Sequence, residues 1–103
     1  MSVFSNELAN EQLERLAFLA EELGEAQQAI GKIIRHGFES YNPTIDDGKT
    51  NRRELETELG HVQHAIDLLI FNRDLSAKGI IAERNNKRES VKKWMHHQSE
   101  ACQ

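Results

Sequence analysis

Glu22 and Glu25 stand three residues apart, and so do Glu58 and His61. Residues spaced three or four apart share a face of an α-helix, so each pair can present two ligand groups together. Glu21 precedes the first pair and lies four residues before Glu25, on the same side. Both segments are amphipathic, and the acids border the face that should be buried. A carboxylate next to a core is unfavourable unless it is paired or bound to a cation. Two helices with this problem suggest one shared site for a divalent metal, with Glu22, Glu25, Glu58 and His61 as ligands. Oxygen donors favour Mg²⁺ or Mn²⁺, and Mg²⁺ tends to share its remaining positions with water and phosphate. The competing explanation is a solvated acidic face on each helix, with His61 an ordinary boundary histidine.

The elements that must position these groups are legible from periodicity. Leu13, Leu16, Ala17, Ala20, Leu23, Gln27 and Ile30, extended by Ile33 and Ile34, predict a long first helix. It should begin at Ser5 or Asn10 as N-cap and end at His36-Gly37. Phe38 to Lys49 reads as a loop, with Asn42-Pro43 and Asp46-Asp47-Gly48 as turn signals. Asn51 followed by Glu54 resembles a capping box for a second helix. Its stripe is Leu55, Leu59, Val62, Ile66 and Leu69, and it should stop between Asn72 and Asp74. Beside that stripe Glu54, Glu58, His61, Ala65 and Leu68 form one file. Ser76 can cap a third helix to about Met95, followed by a frayed tail after His97. Its middle, Glu83 to Ser90, is polar on all sides, which suits either solvent or the lining of a site.

The chain of 103 residues fits one domain spanning residues 1–103. Few β-branched runs and a single proline point to an all-α fold. The expected architecture is an antiparallel helical bundle of two long helices plus a C-terminal helix. With 38% hydrophobic residues the core is thin, so completion by a homodimer or homotetramer is expected. Residues 1–75 carry 14 acids against 7 Lys and Arg, whereas residues 76–103 carry 3 against 6. An acidic body argues against direct nucleic-acid binding. An acidic site near a basic segment suits a metal-bridged phosphate ligand, although the tail can equally just balance the body's charge. The first residues lack the basic and apolar regions of a signal peptide. The longest apolar run, Leu68 to Phe71, is too short to span a membrane. A single cysteine, Cys102, leaves no internal disulfide and fits a cytoplasmic setting.

The segments Leu19–Ile34 and Asn51–Leu69 resemble the MazG-like superfamily of all-α nucleoside triphosphate pyrophosphohydrolases. That family is marked by Glu-x-x-Glu on one helix and Glu-x-x-Asp on the next. Glu22-x-x-Glu25, preceded by Glu21, matches the first half, and Glu58-Leu59-Gly60 begins the second. The stretch Lys32 to Phe38 is similar to small phage and bacterial members. The resembling segments lie between Leu19 and Leu69, a span of about half the chain. It implies metal-dependent hydrolysis of a nucleoside triphosphate to the monophosphate and pyrophosphate. Glu22, Glu25 and Glu58 would hold the metals, and Glu21 would be a further ligand or the base for the attacking water. Lys32 and Arg35 would face phosphate oxygens, and Asn85 and Arg88, with Lys87, would reach substrate from the last helix.

Two departures from the family pattern stand out. His61 replaces the aspartate, which removes one negative charge and adds a donor better suited to softer divalent ions than Mg²⁺. Asp67 cannot compensate, being six residues and about 240° of rotation away. Glu54, one turn before Glu58, can. Glu25 and Glu58 are also 33 positions apart, a long spacing whose excess falls in the loop. The replacement by His61 leaves two further functional classes open. One is a nucleotide- or metal-binding module that has lost catalysis, and the other is a structural oligomerisation domain.

Overall fold

A long loop folds the chain back on itself, so the two longest helices lie side by side in opposite directions. The computed structural model describes residues 3–45 and 47–99. Asp46 of the expected turn and Cys102 lie outside the described residues. The elements are α1 (Asn10–His36), α2 (Asn51–Phe71), α3 (Ala77–Ser90) and a short 3₁₀ turn, Val91–Lys93. The antiparallel pairing is fixed by polar links at both ends. Arg15 near the start of α1 meets Asp74 just beyond α2 at 2.6 Å. Lys32 near the end of α1 meets Glu54 near the start of α2 at 3.1 Å. The core between the helices is small: Ala26, Ala29, Val62, Ala65 and Leu69 are buried. Three alanines in so short a list allow the two backbones to approach closely.

The face that α1 turns toward α2 differs from the apolar stripe. Leu13, Leu16, Leu23, Ile30 and Ile34 are exposed. The covered positions lie one residue earlier: Gln12, Arg15, Leu19, Glu22, Ala26 and Ala29. The inner face is therefore rotated by about 100° from the leucine stripe. The reason lies in what α2 and its following turn offer. Asp74 accepts from Gln12 and Arg15, and Glu54 accepts from Lys32. Cross-helix polar pairs and small residues set the rotation, and the leucines are left on an adjacent surface. On α2 the expected stripe is better covered, with Val62 and Leu69 buried and only Leu59 strongly exposed.

The helix ends follow sequence logic with three changes. At α1 neither Ser5 nor Asn10 is the cap. Ser5 and Asn6 are used in local turns, accepting from the N–H groups of Glu7 and Leu8. The helix starts after Ala9, whose N–H donates to the Gln12 side chain. At α2 the cap is Thr50, whose hydroxyl accepts from the Arg53 N–H at 3.1 Å. Asn51 instead donates its side-chain amide to the Gly37 carbonyl, tying the two ends of the loop together. Glu54 turns to Lys32, so the capping box does not form. Ser76 caps α3 as expected, accepting from the Gly79 N–H. That helix ends at Ser90 rather than near Met95, tightening into the 3₁₀ turn.

Two glycine-type backbone positions shape the hairpin. Gly37 closes α1 with φ +90°, and its N–H donates to the Ile33 carbonyl. At the other end Arg73 adopts φ +63°. The Arg73 and Asp74 N–H groups donate to the Ile70 and Leu69 carbonyls, the bond pattern that satisfies the last turn of a helix. This left-handed step brings Asp74 back to Arg15, whose guanidinium holds the carboxyl below the usual range, helped by Gln12. No residue of α3 is buried, and the main packing between helices is that of α1 on α2. The all-α fold and the antiparallel pairing of the two long helices expected from sequence are both present, followed by the expected third helix. No helix among the described residues is long and apolar enough to cross a membrane.

Two stability measurements check this description. Leu69→Ala, at a fully buried position, should lower the unfolding free energy by about 2–5 kcal/mol in urea titration. Arg73→Gly should raise it by about 1 kcal/mol, because glycine adopts positive φ without the Cβ penalty. A loss of stability in Arg73→Gly would mean that the side chain, not the backbone, matters there.

Candidate metal centre

The rotation of α1 points Glu22 and Glu25 at α2, where Glu58 and His61 face them. One donor atom from each of these four side chains lies within 4.8 Å of all the others. The helix pitch accounts for this. Each pair spans about one turn, and the antiparallel arrangement brings the two turns to the same level. The alanines packed nearby, Ala26 on α1 and Ala65 on α2, leave no bulk to hold the carboxylates apart.

The cluster has too little internal compensation for its charge. The Glu22 and Glu58 side chains are only 12% and 16% exposed. The Oε2 atom of each is buried without a hydrogen-bond partner. His61 Nδ1 stands 3.4 Å from Glu22 Oε2 and 3.5 Å from Glu58 Oε2, close enough for attraction but without hydrogen-bond geometry. The Glu25 carboxyl is held above the usual carboxylate range. Hydrogen bonding with Glu58 is the main cause, followed by burial and the charges of Glu58 and Glu21, while Glu22 acts in the opposite sense. Two orphaned buried carboxylate oxygens and a carboxyl that resists ionisation describe a site short of positive charge. A divalent cation fits this donor set: three carboxylates and one imidazole, the last 52% exposed and open to solvent on one side.

The other residues singled out by sequence fall into three places. Glu21 is exposed beside the cluster and acts on it through charge. Lys32 and Arg35 line a cavity at the loop end of the hairpin, where Lys32 is occupied by Glu54. Glu54 is consequently not the missing fourth carboxylate, because its ion pair draws it away from the cluster. Asn85 and Arg88 are exposed on α3 and stand apart from the cluster within one chain. Sequence reasoning did not single out Tyr41, Asn42 or Ser40, which share the cavity with Lys32. No periodic signal marks them, since the loop that carries them has no repeat. Compared with known proteins, the chain matches no family model, no curated protein and no solved structure.

The raised Glu25 carboxyl has a consequence for metal-free protein. The folded state holds that proton more tightly than the unfolded state, whose ordinary value is 4.5. Its contribution to stability is complete below that value and is lost as pH rises through the higher folded value. Glu21 and Glu22 on α1 and Glu58 and His61 on α2 surround it, so the comparison must be with Glu25→Gln. From pH 4.5 upward, the unfolding midpoint of the native chain should fall relative to that variant. Addition of Mn²⁺ at neutral pH should restore it in the native chain and not in Glu25→Gln. Parallel pH curves for the two proteins would show that Glu25 does not sense the cluster.

Proposed function

We propose that the chain is a metal-dependent nucleoside triphosphate pyrophosphohydrolase of the MazG-like type. The single observation carrying this reading is the pair of orphaned carboxylate oxygens, Glu22 Oε2 and Glu58 Oε2, facing each other across the hairpin beside Glu25 and His61. Glu22, Glu25, Glu58 and His61 would hold Mg²⁺ or Mn²⁺. Such an ion would neutralise triphosphate charge and acidify a water. Glu21, exposed beside the cluster, would orient the attacking water and accept its proton. Attack at the α-phosphorus breaks its bond to the bridging oxygen, and pyrophosphate leaves with that oxygen. Lys32 and Arg35, two to three turns beyond Glu25, would neutralise phosphate oxygens. Asn85 and Arg88 would take part only with α3 closed over the hairpin or supplied by a second subunit.

Assembly as a homodimer or homotetramer belongs to the same proposal. Leu13, Leu16, Leu23 and Ile30 form an exposed apolar file on α1, and Ile80 and Ile81 are exposed on α3. Packing this surface against another copy would create a four-helix core that the single chain lacks. A monomer in light scattering at micromolar concentration would remove this part of the proposal.

One observation favours a second reading. His61 Nδ1 sits between the two orphaned oxygens, so a protonated imidazole can compensate the cluster without metal. The chain would then be a binding module with the fold but without turnover. Pyrophosphate release from a panel of nucleoside triphosphates, with Mg²⁺ and with Mn²⁺, separates the two. Turnover is expected, stronger with Mn²⁺, and Glu58→Gln should lower it by about 100-fold or more. His61→Asp should improve activity with Mg²⁺ by restoring a hard, charged ligand. Nucleotide binding with no turnover in either the native chain or His61→Asp would favour the binding module.

A further inference from the structure

Where the α1–α2 loop meets the two helices lies an open cavity of about 490 Å³, a size suited to a small organic ligand. Its wall is built rather than loose. Tyr41 pairs with Thr50 as an isolated antiparallel bridge, and the Asn51 N–H donates to the Ser40 carbonyl at 2.8 Å. Asn42 closes a turn through its side chain, accepting from the Thr44 N–H and hydroxyl. Arg52 stacks over Phe38 at 4.4 Å and pairs with Glu39, fixing the loop's first residues to α2.

The chemistry inside has two halves. Tyr41, Pro43 and Ile45 present an aromatic ring and apolar surface. The same cavity is lined by the cations Arg35 and Lys49, which form no ion pair among the described residues. The two acids in the lining are already engaged: Glu54 with Lys32, and Asp47 as acceptor from the Lys49 N–H. Asn51 is 7% exposed, and its amide nitrogen is used by the Gly37 carbonyl. Its Oδ1 accepts no hydrogen bond from the described residues. That open acceptor at the cavity wall can take a donor from a ligand. Glu54 also places the cavity, since it lines it and stands one turn, about 6 Å, before Glu58.

We infer that this cavity holds the nucleoside half of the substrate, and that the loop rather than the helices decides which nucleotide is accepted. The inference rests on the pyrophosphohydrolase reading for the position of the phosphates. With the triphosphate at the carboxylate cluster, the sugar and base extend one turn toward the loop. The base then stacks on Tyr41 against Ile45, Asn51 Oδ1 accepts from a base N–H or a sugar hydroxyl, and Arg35 and Lys49 face the phosphate nearest the sugar. An inorganic anion would use the cations but would leave the ring, the apolar wall and the open acceptor without a role.

Calorimetric titration of the full chain in Mn²⁺, with ribo- and deoxyribonucleoside triphosphates and with inorganic tripolyphosphate, tests this. At least one nucleotide should bind about tenfold or more tighter than tripolyphosphate. Tyr41→Ala should weaken that nucleotide by about fivefold or more, the loss of one stacked base, and leave tripolyphosphate within twofold. Tyr41→Phe should bind like the native chain, and both variants should keep the native helical circular dichroism. Equal affinity for nucleotides and tripolyphosphate overturns the cavity's role while leaving the metal–phosphate reading intact. So does an equal loss for both ligands in Tyr41→Ala. Nucleotide binding that survives Glu58→Gln and metal removal but is lost in Tyr41→Ala keeps the cavity and overturns the pyrophosphohydrolase reading. Failure of every nucleotide to bind overturns both.

Discussion

The organisation of this hairpin depends on electrostatic pairing across its inner face. Arg15 with Asp74 at one end and Lys32 with Glu54 at the other are matched in charge. Between them Glu22, Glu25 and Glu58 meet with only His61 for compensation. The outer pairs hold the helices at the register that forces the carboxylates together. A surplus of negative charge is thereby built into a scaffold that cannot relax by sliding, because sliding would break the flanking pairs. Such a surplus is unfavourable in the absence of a cation and becomes favourable when one arrives.

The same constraint explains why so little apolar surface is buried. With polar pairs and alanines between the helices, Leu13, Leu16 and Leu23 of α1 fall one residue out of phase and face outward. Among the described residues, a fully buried leucine occurs only on α2, at Leu69. The hairpin therefore separates two tasks onto adjacent faces of one helix. The inner face gathers carboxylates, and the neighbouring face carries an exposed apolar file. α3, with its basic, uniformly polar middle, buries no residue of its own.

The loop adds a second region of built chemistry at the end of the hairpin. Its backbone is anchored to the start of α2 through Tyr41, Ser40 and Phe38. Lys32 and Glu54 connect this region to the carboxylate cluster. They belong to the cavity wall and also to the register that defines the cluster.

Much of the site was legible in the sequence. A three-residue spacing on a helix dictates a common face, so Glu22 with Glu25 and Glu58 with His61 had to pair within their own helices. Helix extent was also legible, because periodicity, Gly37 and Ser76 are local signals. The N-caps were less so: Thr50 took the role expected of Asn51, whose side chain found a partner fourteen residues away at Gly37. The sequence could not decide which face of α1 would be covered. The leucine stripe and the polar face are both helical patterns, and only the partners on α2 and its following turn select between them. Tertiary structure also decided that Glu54 would serve Lys32 instead of the cluster, and that an aperiodic loop would form a cavity. Spacing along one helix is fixed by covalent geometry and pitch, whereas pairing between helices is settled by how charges and small side chains match across the gap.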